Sequence, residues 1–195
     1  MSPPPGLDGI RFSLIPLSLD HVDALTAIGT DPSIWQWTPV RISDREDMEA
    51  FVREALTETN RRTGDTYVIV HKDSEAIIGS TRFMNLVEAH RRVEIGGTWL
   101  APAWRRSGAN TEAKWLMLSE AFDEWGYRRV EFKTHASNLQ SRAALLRIGA
   151  VEEGTFRKHM IHVDGTSRDS TWFSITDEDW PAVRGRLQQK LFRPA

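Results

Sequence analysis

The chain has 195 residues, no cysteine and a formal net charge of −2 at pH 7. This length fits one domain with its own core, so we predict a single domain over residues 1–195, with residues 1–9 as a loose lead. The balanced charge argues against a general nucleic-acid or membrane-surface binder. The lack of cysteine excludes disulfides and thiolate chemistry. No apolar run is long enough to span a bilayer, and the start lacks a secretory pattern, so we expect a cytoplasmic protein.

Hydrophobic periodicity and turn residues predict an alternation of strands and helices. The first half is predicted to contain, in order, strand 10–17, helix 18–29, loop 31–40, helix 44–62 and strands 66–71, 76–85 and 92–100. The second half is predicted to contain helix 111–125, strand 129–134, helix 138–149, strands 151–163 and 168–175, and a helix capped by Asp177. Antiparallel strands with one strand–helix–strand crossover indicate an α/β or α+β fold.

The most informative segment is residues 98–111, where a predicted strand ends, a turn follows and a helix begins. A helix N-terminus presents unpaired N–H groups and a partial positive charge. Gly108 lets the backbone approach a ligand, and Arg105 and Arg106 add forked, charged donors. Together these features predict a pyrophosphate site, which we call the phosphate loop (residues 105–111). An exposed turn with an ordinary helix cap explains the same pattern.

The loop Arg-Arg-Ser-Gly-Ala-Asn resembles the [Gln/Arg]-x-x-Gly-x-[Gly/Ala] pattern of the GNAT superfamily of N-acetyltransferases. Arg105 and Gly108 match this pattern, whereas Asn110 stands where the superfamily prefers a small residue. The run GANTEAK is similar to a variant found in the subgroup that acetylates ribosomal-protein N-termini. So are the later stretches KTHASNLQSRAALLRIGAVEEG and RKHMIHVDGTSRDSTWFSI and the Asp-Trp-Pro near the end. The resemblance is strong over residues 77–191 and rests on element order before them.

The resemblance implies a mixed, strongly bent sheet of about seven strands with helices on both faces and two central strands that splay apart. These would be strands 92–100 and 129–134, with acyl-CoA between them. It implies acetyl-CoA as co-substrate. No metal is expected, because the histidines are scattered and no H-E-x-x-H spacing occurs. The contacts that the resemblance implies for coenzyme A are Trp99, Leu100, Arg105, Arg106, Ser107, Gly108, Ala109, Asn110, Thr111, Asn138 and Ser141.

Two residues are candidates for the base that takes a proton from the attacking amine. Glu94 lies in the splayed strand, where the resemblance implies a base, although a salt-bridged strand carboxylate fits the same position. His159 lies on the implied acceptor side and has a suitable ordinary pKa, although a surface histidine fits too. His162, three residues on, is expected to face the other side of the strand.

The leaving thiolate needs a hydrogen-bond donor, and the sequence offers Ser141. Many GNAT enzymes carry a tyrosine donor farther along this helix, but the matching position here is Leu145. Asn138 and Ser141 also fit an ordinary N-cap and a polar helix-face residue. Trp35 and Trp37, in the proline-bounded loop, are candidates for binding the acceptor by stacking. A hydrophobic plug that fixes the loop is the alternative for both.

We therefore predict an N-acetyltransferase that moves acetyl from acetyl-CoA to an amine, such as a protein or peptide N-terminus, by direct attack in a ternary complex. Two alternatives stay open: a non-catalytic acyl-CoA-binding or sensing module, and an acetyltransferase of a small-molecule amine. A P-loop nucleotide enzyme is excluded because no GxxxxGK[ST] occurs. The expected partner is the amine acceptor, without nucleic acid or membrane, and the expected state is a monomer or homodimer.

Overall fold

The computed structural model describes residues 4–162 and 164–192. The strands are β1 (Leu7–Asp8), β2 (Phe12–Pro16), β3 (Thr66–His71), β4 (Ala76–Val87), β5 (Arg92–Leu100), β6 (Arg129–His135), β7 (Val151–Ile161) and β8 (Ser167–Thr176). They form one sheet in the order β1-β2-β3-β4-β5-β6-β8-β7. The helices are α1 (Val22–Gly29), α2 (Pro32–Trp35), α3 (Arg45–Asn60), α4 (Ala109–Ser119), α5 (Leu139–Ile148) and α6 (Trp180–Leu191).

Two hydrophobic clusters cover the two faces of the sheet, as the prediction of helices on both faces requires. One cluster joins α4, α5 and α6 to the sheet, and the other joins α1 and α3 to it. We call these sides the α4 face and the α3 face. In the described residues, no helix combines the length and apolarity needed to cross a bilayer.

The fold class is confirmed, and several local expectations are corrected. The sheet has eight strands rather than about seven, because Leu7–Asp8, in the expected loose lead, pairs with β2. The predicted loop 31–40 contains the short helix α2, which starts at Pro32. Asp31 is its N-cap, because the Asp31 side chain accepts a hydrogen bond from the Ser33 N–H. The last helix has Asp179 rather than Asp177 at its N-cap. Val163, predicted to end β7, lies outside the described residues.

The helix predicted over 111–125 begins two residues earlier and changes its winding near the end. Gly108 precedes it with a φ of 94°, in the left-handed region that glycine adopts readily. The regular helix ends at Ser119, and a π-helical turn follows over Glu120–Glu124. The phosphate loop therefore runs directly into the first turn of α4.

The centre of the sheet is held by a very short parallel contact. β5 and β6 pair only at Arg92↔Arg129, Val93↔Val130 and Glu94↔Glu131. Beyond this point β5 continues with β4, and β6 continues with β8. The two strands therefore separate towards their carboxyl ends, as the sequence resemblance implied.

A buried carboxylate fixes the N-terminal hairpin against α4. Glu112 Oε1 accepts hydrogen bonds from the backbone N–H groups of Ile10, Arg11 and Phe12 at 2.5, 2.9 and 3.1 Å. Its side chain is 1% exposed. Since hydrogen bonds to a charged acceptor are stronger than neutral ones, this contact holds the turn between β1 and β2 against α4.

A buried lysine lies two residues further along α4, behind the splayed part of β5. Lys114 Nζ donates a hydrogen bond to Thr98 Oγ1 at 2.6 Å, and the Thr81 hydroxyl lies 2.7 Å from that oxygen. Burial lowers the pKa of Lys114 to about 7. Removal from water disfavours the ammonium form, and within the described residues no carboxylate forms an ion pair with it.

We predict that Lys114 makes the free energy of unfolding depend on pH above pH 7. From pH 7 to its ordinary value of 10.5, the unfolded chain holds a proton that the folded chain has released. Stability therefore rises with pH in this window, by about 1.4 kcal/mol per pH unit. Urea unfolding between pH 7 and pH 9.5 should show that Lys114→Met loses this slope relative to the wild type, whereas Lys190→Met, at an exposed position, keeps it. Parallel slopes in all three proteins would contradict the prediction.

Candidate active site

The separation of β5 and β6 leaves a gap between their carboxyl-terminal halves. Trp99 and Leu100 end β5 at this gap, and their backbones pair with β4 at Ser80 and Gly79. The other backbone edge of β5, beyond Glu94, has no strand partner in the described residues. An unpaired edge with free N–H and C=O groups can bind an extended, amide-containing arm.

The phosphate loop presents backbone donors at every second residue. The N–H groups of Arg106, Gly108 and Asn110 form no hydrogen bond with the described part of the chain, whereas those of Ser107, Ala109 and Thr111 do. Arg106 and Gly108 both have positive φ, 63° and 94°. Ser107, between them, has no positive φ. Alternating backbone conformations of this kind can point N–H groups towards a common anion.

The two arginines of the phosphate loop differ in their contacts with the rest of the chain. Arg105 donates a hydrogen bond to Ser33 Oγ at 2.9 Å, whereas the Arg106 side chain is exposed. A third arginine, missed in the sequence, joins them: Arg11 donates to the Ser107 carbonyl at 3.0 Å. Its guanidinium lies 2.5 Å from where a Cβ on Gly108 would stand.

The start of α5 lies across the gap, after the end of β6. The Asn138 side chain accepts a hydrogen bond from the Ser141 N–H at 3.0 Å, so Asn138 is an N-cap. Ser141 lies in the first turn of α5. Leu145, at the position of the missing tyrosine, is buried in the core on the α4 face.

Glu94 is a buried carboxylate at the point where β5 and β6 separate. It is 2% exposed, and it faces the α3 face because Val93 and Ile95 belong to the core on the other side. Its Oε2 accepts a hydrogen bond from Asn85 Nδ2 at 2.8 Å and lies 3.4 Å from Lys133 Nζ. Neither partner was singled out in the sequence.

His159 of β7 and His162, one residue after its end, face the same side, so the expectation from strand alternation is wrong. The pairing of β7 with β8 shifts between Phe156 and Met160, and this bulge breaks the alternation. His159 is exposed, and its ring lies 5.8 Å from that of Trp172. Burial and the charges of Lys133 and Arg168 hold its pKa below the usual value.

A cluster of aromatic rings covers the end of β6 on the same face. The His135 ring lies 5.0 Å from Trp37 and 5.4 Å from His162. His135 Nδ1 accepts a hydrogen bond from the Ser137 N–H at 2.9 Å. Burial, helped by the charge of Arg168, lowers the pKa of His135. The proton of its neutral ring is therefore on Nε2.

Trp35, the last residue of α2, and Trp37, two residues after it, have different surroundings. Trp35 is 7% exposed, packs on Trp99 and Phe51, and donates from Nε1 to the Gly29 carbonyl at 2.7 Å. This position favours the hydrophobic-plug alternative for Trp35. Trp37 is half-buried beside His135, on the face that carries Glu94.

The structure thus brings Glu94, His159 and Trp37 to one face and the phosphate loop and Ser141 to the borders of the gap. Sequence reasoning missed Lys133, His135 and Arg168 on that face. Strand periodicity carried the signal: polar residues alternate with core residues along β6 and β8. In the described residues, no group of three or more His, Cys, Asp or Glu could hold a metal.

Comparison with known proteins identifies the class of this fold and site. The family described as "Acetyltransferase (GNAT) domain" matches residues 11–151, and the chain therefore belongs to this family. The match includes the N-terminal part, where the sequence resemblance rested on element order alone.

Individual relatives agree with this assignment. The "Uncharacterized N-acetyltransferase YoaA" of Bacillus subtilis (strain 168) is 31% identical over 114 residues, which are 58% of this chain and 63%, less than two thirds, of YoaA. A GCN5-related N-acetyltransferase from Brucella melitensis has a TM-score of 0.89 at 31% identity, covering 96% of this chain and 85% of that one. RimJ of Mycobacterium smegmatis, solved with CoA-disulfide, shares the fold with a TM-score of 0.81 at 23% identity, covering 96% of this chain and 95% of RimJ.

We predict that coenzyme A raises the melting temperature and that Gly108→Glu abolishes this shift. A ligand present at 100 times its Kd stabilises by about 2.7 kcal/mol, and a carboxylate in the phosphate loop repels the pyrophosphate. Gly126→Glu is the matched control, because Gly126 also has positive φ, 64°, with no atom within 4 Å of its Cβ position. It lies at the far end of the helical segment, about 24 Å away. An undiminished shift in folded Gly108→Glu would place coenzyme A elsewhere.

Proposed function

We propose that this protein transfers acetyl from acetyl-CoA to an amine, such as the α-amine of a protein or peptide, by direct attack in a ternary complex. The observation that carries the proposal is the gap between β5 and β6, bordered by the free N–H groups of the phosphate loop and by the buried Glu94. The solved RimJ complex, with CoA-disulfide, supports the same ligand for this fold.

Each element of the gap would hold one part of the donor. The N–H groups of Arg106, Gly108 and Asn110 would bind the pyrophosphate, with the arginines adding charge. The free edge of β5 near Trp99 and Leu100 would pair with the amides of the pantetheine arm. This arrangement orients the thioester towards the point where the strands separate, which is next to Glu94.

The reaction needs a neutral amine and a stabilised leaving group. The amine nitrogen attacks the thioester carbonyl, the carbon–sulfur bond breaks, the amine gives up a proton and the thiolate takes one. Glu94, directly or through a water, is the best-placed group to accept the amine proton. The Ser141 hydroxyl would donate to the departing thiolate. The chain contains no cysteine, so a thiol-linked acyl-enzyme cannot form.

Glu94 is preferred over His159 as the base because of burial. A carboxylate that is 2% exposed at the gap is shielded from water, whereas His159 is exposed at the rim. Water exclusion strengthens electrostatic interactions with the ammonium that forms during attack. His159 would instead line the entrance for the acceptor, with Trp172 and Trp37.

We predict that Glu94→Gln lowers kcat by about 10²–10⁴ at neutral pH and leaves coenzyme A affinity unchanged. Raising the pH should partly restore the rate, because the amine then loses its proton without help. Glu131→Gln is the matched control: Glu131 pairs with Glu94 across the strands but is ion-paired to Arg92 and Arg129, so its loss should affect stability rather than kcat. Steady-state kinetics with a panel of amine acceptors measures kcat of both variants at neutral and higher pH. A larger loss in His159→Gln than in Glu94→Gln would move the base to His159.

We predict a different pH response for Ser141→Ala. It should lower kcat about tenfold or more, through loss of a hydrogen bond to a developing charge, and higher pH should not rescue the rate. Ser137→Ala, at an exposed position just before α5, serves as the control. An unchanged rate in Ser141→Ala would assign the donor to another group. Coenzyme A binding without transfer to any amine in the panel would support the non-catalytic alternative.

A further inference from the structure

Strand β8 carries a row of unsatisfied polar groups on the α3 face. Phe173 and Ile175 belong to the core on the α4 face, so the alternate residues Arg168, Ser170 and Trp172 face the other way. Each has a buried side-chain atom without a hydrogen-bond partner among the described residues: Nε of Arg168, Oγ of Ser170 and Nε1 of Trp172. Folded proteins satisfy most buried polar atoms, so three unsatisfied atoms in one row indicate a binding surface.

Arg168 is the most costly member of this row. It is 6% exposed, and its guanidinium forms no ion pair or side-chain hydrogen bond within the described residues. Burial lowers its pKa, although the charge of Glu94 opposes this. An arginine keeps its proton in proteins even so. A buried cation without a counterion is destabilising unless a ligand supplies one.

The position of Arg168 is the acceptor side of the proposed active site. Its row on β8 includes Ser170, which pairs with His135 of β6, and Trp172, whose ring lies 5.8 Å from that of His159. Besides burial, the charge of Arg168 contributes to the lowered pKa of both histidines. Lys133, the cation that contacts Glu94, is already engaged, with Nζ 3.4 Å from Glu94 Oε2 and 5.1 Å from the Trp172 ring centroid. Arg168, which has no ion pair among the described residues, remains available to a bound molecule.

We propose that Arg168, with the hydroxyl of Ser170, binds a carboxylate on the same molecule that presents its amine to Glu94. The acceptor is then an amine that carries an anionic oxygen group, rather than a neutral or polycationic amine. This inference rests on the proposed function and names the acceptor class of that site.

The length of the row on β8 favours a peptide acceptor whose carboxylate is on the residue next to the one that carries the amine. Trp172 lies opposite Lys133, next to Glu94, whereas Arg168 lies four residues along β8, about 13 Å between backbones. The long arginine side chain spans only part of this distance. An acidic side chain following the N-terminal residue of a peptide fits this separation better than the carboxylate of a free amino acid.

The test compares matched probes that differ only in the anionic group. The first pair is the dipeptide amides Ala-Asp-NH2 and Ala-Asn-NH2, and the second pair is alanine and alaninamide. Binding to the protein saturated with coenzyme A is measured by calorimetry, and acetyl transfer is measured separately with acetyl-CoA. Wild type, Arg168→Met, Arg168→Lys and the exposed control Arg157→Met are compared. The two members of a pair differ in amine pKa. Comparing their affinity ratio between wild type and variants cancels this difference.

We expect the wild type to bind the acidic dipeptide about tenfold to a hundredfold more tightly than its neutral partner. Arg168→Met should abolish this ratio without lowering the melting temperature, since an unpaired buried charge is removed. Arg168→Lys should keep part of the ratio, and Arg157→Met all of it. Preference confined to alanine over alaninamide would assign the site to a free amino acid's carboxylate.

Several outcomes would overturn the proposal. The first is that the wild type binds the acidic and neutral members of each pair with equal affinity, or binds none of them. The second is that Arg168→Met loses affinity equally for acidic and neutral probes and also has a lower melting temperature. The second result would make Arg168 a structural residue. Selective, Arg168-dependent binding without any acetyl transfer would uphold the carboxylate site and refute the proposed function instead.

Discussion

Three residue pairs between β5 and β6 determine the organisation of this protein. They are the parallel contact that joins the antiparallel strands on either side into one sheet. Had the pairing continued, the edge of β5 would be occupied by β6, and no gap would exist. Because it stops at Glu94, the backbone edge near Trp99 becomes available, and the carboxylate lies where the strands separate. The proposed acyl-donor site and the candidate base are consequences of the same interruption.

Polar groups without partners among the described residues lie on two sides of this interruption. Free N–H groups recur in the phosphate loop, and unsatisfied side-chain atoms recur along β8 from Arg168 to Trp172. By contrast, Glu112 Oε1 accepts three backbone N–H groups of the N-terminal hairpin. Unpaired polar groups on two sides of one gap fit the binding of two substrates.

Electrostatics on the α3 face separates two roles. Glu94 is held by Asn85 and Lys133, which fixes the orientation of the carboxylate. Burial lowers the pKa of His135 and His159, and the positive charge of Arg168 nearby adds to this effect. The face therefore combines the group that we propose as the proton acceptor with a cation that we propose binds an anionic part of the acceptor.

The sequence by itself predicted the order of most elements, the bounds of β3 and β5, and the turn over residues 105–108 that leads into α4, because these depend on local periodicity, turn residues and helix capping. It also placed Glu94 in the correct strand. Only the tertiary structure decided what depends on register between distant segments: the extra strand held by Glu112, the bulge that turns His159 and His162 to one side, and the burial of Trp35. Arg168 and Lys133 gained significance only in the folded chain, since a residue's partners across a sheet cannot be read from its neighbours in sequence.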